Sequence, residues 1–114
     1  GCFGVNLVDS RMVSSVFSCV QWFGQERIEK AGFTMISASR IAAPLVQESK
    51  AHLECRLHST LEVGSGLIVC GQIVSAAIRQ DILQAEREER YQLLDQVLYL
   101  EDGLYAVLSA PRCV

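Results

Sequence analysis

Phe3, Val5 and Leu7 alternate with Gly4 and Asn6, the two-residue period of a strand. Beyond it, Met12, Val13, Val16, Phe17, Val20 and Phe23 recur at helical spacing and predict a helix over 11–22, with Asp9 or Ser10 as its N-cap and Val8 stapled against Val13. Gly24 is expected to end that helix, a short turn to follow over 26–31, and Gly32 to stop it. Residues 33–39 read as a short strand or loop, and Pro44 restricts any strand there to an edge or a bulge. The clearest strand runs over 51–62, with Leu53, Cys55, Leu57 and Leu61 on a core face and His52, Glu54, Arg56 and His58 on a polar one. Gly64-Ser65-Gly66 signals a hairpin turn into a second long strand over 67–78, paired antiparallel with the first, and Gly71 marks a bulge or a close approach within it. Residues 80–90 form a charge run that reads as a solvated helix, with Asp81 as its cap and Glu86 four residues before Arg90. Two further apolar segments, 93–100 and 104–108, flank Glu101-Asp102-Gly103, whose Asp-Gly pair signals another hairpin.

Composition narrows what such a chain can be. With 114 residues, 50% hydrophobic and 20% charged, it is expected to form one packed domain over 1–114. The longest uncharged stretch, 63–78, is broken by Gly64, Gly66, Gly71 and Gln72 and is too short for a membrane-spanning helix. A net charge of -3 with interspersed signs gives no basic footprint for nucleic acid or anionic lipid, so neither partner is expected. Five cysteines, with no C-x-x-C pair, argue against a disulfide framework or a structural zinc site. Cys55 and Cys70 read as small buried hydrophobes, which suits a reducing cytoplasm.

Catalytic motifs are absent. His52 and His58 would stand about 20 Å apart on one strand and could not share a metal ion. No nucleophile elbow, Walker loop, dinucleotide fingerprint or H-E-x-x-H is present, and Gly64-x-Gly66 is read as a hairpin turn because no helix follows to supply oriented amides.

A family resemblance goes further. Gly1-Cys2-Phe3-Gly4-Val5-Asn6-Leu7 resembles the Gly-x-Phe-x-Val-Asn strand of the flavin reductase-like, FMN-binding split-barrel proteins, the group that includes the flavoredoxins. Phe17-Ser18 and then 26–33 are similar to that family's Phe-Ser helix and Asp-Arg/Lys-Phe turn. Ala43-Pro44-Leu45 with 51–57 resembles its Pro-x-Leu and Leu-Glu-Cys strand, 64–74 its Gly-Asp-His hairpin and Gly-Glu-Val strand, and Leu94-Asp95 with Leu104-Tyr105 its closing segment. Five motifs in order cover nearly the whole chain. The resemblance implies a mainly β protein, an antiparallel split β-barrel of Greek-key type with one or two short helices after the first strand. It implies a homodimer that holds FMN, with FAD as the alternative, and takes electrons from NAD(P)H or passes them to a partner. By position, Ser18 and Arg27 would contact the flavin, Arg27 at its phosphate, and Tyr105 would border the ring.

There are departures. Ser65 and Gly66 stand where the family carries Asp and His, Ile28 replaces the turn aromatic and Gln72 replaces the Glu of Gly-Glu-Val. The chain corresponds to the C-terminal two-thirds of the family domain, so the first barrel strands and the phosphate loop are expected to be missing. Two functions therefore follow: a flavin-binding oxidoreductase domain, or a cofactor-free split-barrel module for dimerisation or protein binding.

Overall fold

A computed structural model describes residues 1–108 and 110–114. In chain order its elements are β1 (Cys2–Asn6), α1 (Val13–Ser18), α2 (Gly24–Ala31), β2 (Met35–Ser37), β3 (Pro44–Val46), β4 (Ala51–Val63), β5 (Gly66–Ile78), α3 (Gln80–Gln84), α4 (Arg87–Leu94), β6 (Val97–Glu101) and β7 (Leu104–Val107). All strand pairing is antiparallel. β1, β4 and β5 make one sheet in the order β1-β4-β5, while β2 with β3 and β6 with β7 form two separate ribbons. The expected β-rich class holds, with two short helices after the first strand as expected and two more over 80–94, but no closed barrel forms among the described residues.

The long hairpin follows its sequence signals. Gly64 adopts a φ of 59°, a left-handed turn conformation that glycine enters without strain. Gly71 marks a close approach, as expected: a Cβ there would lie 2.5 Å from the ring of Phe3 and 3.1 Å from Cys55 Cβ. The bulges fall elsewhere: the extra residue is Val74 of β5 opposite Glu54/Cys55, and His58 of β4 between Leu57 and Ser59. The expected division of β4 into a core face and a polar face does not hold. Ala51, Glu54 and Cys55 are buried, whereas Leu57, Leu61 and Val63 on β4 and Leu67, Ile68, Val69 and Ile73 on β5 are exposed. Cys70 is exposed as well, against the expectation. Among the described residues, none covers these apolar side chains on the outer half of the ribbon.

Glu54 is expected on the polar face, yet it is 4% exposed. Its carboxylate accepts from the Ser39 backbone N–H and hydroxyl at 3.1 and 2.8 Å and from the Arg40 N–H at 2.6 Å, clamping the β2–β3 connection. Pro44 sits on a ribbon edge, as expected. His52, also expected on the polar face, is half-buried, and its Nε2 donates to the Val46 carbonyl at 2.7 Å.

The helices depart most from expectation. α1 ends at Ser18 rather than Trp22, and Met12 is its N-cap residue with no side-chain bond to the helix. Asp9 is drawn instead into a buried charge cluster. The 26–31 segment is a true helix, α2, that begins at Gly24 and ends where Gly32 turns left-handed at a φ of 70°. The charge run folds as α3 and α4, anchored by Ile82, which is fully buried. Asp81 does not cap α3 but pairs with Arg79, and Arg90 donates to the Ala85 carbonyl. Leu93 and Leu94 belong to α4, so β6 starts only at Val97.

Candidate functional site

The apolar stripe of α1 does not close fully onto a core. Met12 is buried, but Val13, Val16, Phe17 and Val20 face the β6–β7 ribbon across a cavity of about 400 Å³, completed by Val8, Val97, Tyr99, Gly103 and Tyr105. The ribbon is shaped for this by its Asp-Gly turn: Asp102 and Gly103 both take positive φ, 42° and 81°, which matches the twist of a two-residue hairpin. With no side chain at Gly103, the ring of Phe17 comes down onto the turn, where a Cβ would stand 3.3 Å from it. The Gly103 N–H donates to the Tyr99 hydroxyl at 3.4 Å.

Next along the chain from the wall residue Val8 comes a charged junction around Asp9. Asp9, 2% exposed, accepts from the Arg11 N–H at 2.9 Å and from its guanidinium at 2.7 Å, and Lys50 Nζ lies 3.5 Å away. Burial pushes the Asp9 carboxyl up, but the bonds and charge of Arg11, with the charge of Lys50, outweigh it and hold the group below its ordinary value. Lys50 also donates to the Leu93 carbonyl at 2.7 Å, and Ser10 bonds Asp95 through both its N–H and its hydroxyl. Beyond its own strand, the line of β1 donates from Leu7 to the Ala51 carbonyl and accepts at Val8 from Val97. That handover sets Val8 and Val97 side by side in the cavity wall.

Of the three residues singled out from the sequence, the structure brings only Tyr105 into this wall. Ser18 is exposed at the end of α1, its hydroxyl donating to the Ser15 carbonyl at 2.9 Å. Arg27 lies on α2 and reaches back: Nε donates to the Trp22 carbonyl at 2.6 Å, Nη2 to the Val20 carbonyl at 2.9 Å, and its head stands 5.5 Å from the Phe23 ring centre. It thereby fixes the backbone of Val20, a wall residue. Lys30 lies over the Trp22 ring at 4.9 Å. Sequence reasoning did not single out Val13, Val16, Val97, Tyr99 and Gly103. The helical stripe and the Asp-Gly turn are the signals for them, but an apolar stripe reads first as core.

The lining suits a flat apolar ring rather than a charged group. Its walls are aliphatic and aromatic, and among the described residues no charged side chain lines it. Nor do the described residues hold any cluster of His, Cys, Asp or Glu able to ligate a metal ion.

The family model described as flavin reductase like domain matches residues 1–107. The chain belongs to this flavin reductase-like family. Solved structures share its fold. Component B of nitrilotriacetate monooxygenase from Bacillus cereus superposes with a TM-score of 0.82 at 21% identity, covering 97% of this chain and 58% of that one. A flavoredoxin from Methanosarcina acetivorans gives 0.75 at 23% identity, over 97% and 60%. The FMN-binding domain of a flavin reductases-like enzyme from Shewanella baltica gives 0.77 at 10%, over 100% and 63%. This flavin reductase-like chain thus spans about three-fifths of the length of the structures it matches. No helix among its described residues is long and apolar enough to cross a membrane.

Proposed function

We propose that this chain is a flavin-binding oxidoreductase domain that takes FMN and acts in electron transfer from NAD(P)H. The observation that carries the reading is the aromatic-walled cavity between α1 and the β6–β7 ribbon, in a chain whose family membership extends over residues 1–107. A bound flavin would supply the redox chemistry. The chain's own residues would do the rest: Tyr105, Tyr99 and Phe17 would flank the ring and the valines would exclude water from it, with Ser18 at the end of α1 and Arg27 on α2 outside the cavity.

The site is proposed to work within a homodimer. The chain exposes 8300 Å², against about 6200 Å² for a folded monomer of its mass. That excess is more than the roughly 800 Å² per partner that a standard interface covers. Leu61, Val63, Leu67, Ile68 and Val69 of the outer β4–β5 ribbon are exposed within it. A cofactor-free dimerisation module is the competing reading, favoured by the scarcity of hydrogen-bond donors in the cavity.

Gel filtration of the purified chain with added FMN, read at the flavin absorbance band, tests the choice. Flavin that co-elutes with the wild type and is lost with Tyr105→Ala supports the oxidoreductase domain. Flavin that elutes separately from wild type supports the module.

A further inference from the structure

We propose that the cavity between α1 and the β6–β7 ribbon takes the dimethylbenzene end of a flavin ring, methyl edge first, and keeps the polar pyrimidine end at its mouth. The inference rests on the flavin reading above and adds the direction in which the ring enters. A flavin ring has two chemically different ends. One is a benzene ring that carries methyl groups and no hydrogen-bonding atom, and the other carries carbonyls and ring nitrogens. A polar group buried without a partner loses its bonds to water, whereas a buried methyl stabilises in proportion to its apolar area.

The cavity is graded in the same way. Val8, Val13, Val16 and Val97 are half-buried and bring only methyl groups, whereas Phe17, Tyr99 and Tyr105 are 49%, 57% and 40% exposed. The aliphatic residues are its inner end and the aromatic ones its rim. Its polar side-chain atoms are the hydroxyls of Tyr99 and Tyr105, both on rim residues, and the Tyr99 hydroxyl meets the Gly103 N–H at the hairpin turn. The valines therefore match the methyl edge and offer the carbonyls nothing to bond. The rim supplies aromatic faces against which the middle of the ring can lie.

The test compares FMN with an analogue lacking both ring methyls, each titrated into the full chain and followed by quenching of flavin fluorescence. The analogue is expected to bind about tenfold more weakly, the loss that two buried methyls account for. Val16→Ala, which removes part of the inner wall, should narrow that difference to about threefold or less, with circular dichroism confirming that the variant folds. A second probe is FMN with chlorine in place of a ring methyl. Thiophenolate attacks that carbon, forms a C–S bond and expels chloride, and the bound analogue should react at about a tenth or less of its rate in free solution, because its methyl edge is out of reach of water. Equal affinities for FMN and the demethylated analogue, or displacement at the free rate from a chain that holds the ring, overturn the proposal. If FMN itself does not bind, the flavin reading falls and this inference with it, an outcome distinct from a ring that binds in the other direction.

Discussion

Asp9 and Glu54 are carboxylates in positions where an apolar side chain would be the ordinary occupant, and each is there because hydrogen-bond donors converge on it. At Asp9, the N–H and guanidinium of Arg11 and the ammonium of Lys50 meet one buried group. Asp9→Asn keeps the shape but removes the charge these donors compensate, and is expected to cost about 2 kcal/mol, read from urea unfolding at neutral pH. The pH dependence follows from the direction of the shift. Because the folded carboxyl titrates below its ordinary 3.8, its contribution is complete above that value and is lost as pH falls through it toward the folded one. Thermal melts taken from neutral to acid pH should therefore converge for wild type and Asp9→Asn at the acid end. Melts that stay parallel would show that Asp9 gains nothing from its charge. Glu54 follows the same sign: burial raises it, but the bonds from Arg40 and Ser39 prevail and hold it low.

At the scale of elements, the cross-strand fit of β1 on the long hairpin depends on one missing side chain. Gly71→Val would drive a branched side chain into Phe3 and the Cys55 Cβ, at an expected cost of about 1 to 3 kcal/mol. Combining it with Phe3→Ala should recover part of that loss in a double-mutant cycle, whereas strict additivity would mean that the two do not touch. Gly71 is legible from sequence because glycine weakens a strand interior, so its place among Ile and Val residues points to a neighbour that leaves no room for a side chain. The same holds for the Asp102-Gly103 turn, whose conformation its two residues prescribe. Gly32 makes the end of α2 legible, but the ends of α1 and the start of α2 are not, because those limits are set by tertiary partners: Asp9 leaves the helix for Arg11 and Lys50, and Arg27 closes off the backbone from Val20 to Trp22. The helical character of the α3–α4 segment is legible from its charge run, but its break into two helices and its anchoring are not. A single apolar residue, Ile82, fixes it, and one residue makes no period. Of the candidate site, Tyr105 and the α1 stripe can be found in the sequence, but their joining with Tyr99 and Val8 across some ninety residues cannot.

At the scale of the whole molecule, the radius of gyration is 15.4 Å, against about 13 Å for a compact domain of this length. The difference fits a long β4–β5 ribbon whose outer half carries apolar residues on both faces. Leu61 and Ile68 lie directly opposite each other there, 60% and 52% exposed. Sedimentation velocity should give a dimer, and the double variant Leu61→Glu, Ile68→Glu should give a folded monomer. A wild type that sediments as a monomer at high concentration would remove the dimer from the proposal. Elsewhere the molecule is tied together more tightly than its three separate sheets suggest. The line of β1 bonds Ala51 at Leu7 and Val97 at Val8, and Asp9 bridges to Gln96, so one short run of backbone serves two sheets. The amides of Leu7 and Val97 should therefore exchange with solvent deuterium together, as one opening event, and Asp9→Asn should speed both by the same factor. The wall that faces the cavity opens only when the chain lets go of both sheets at once.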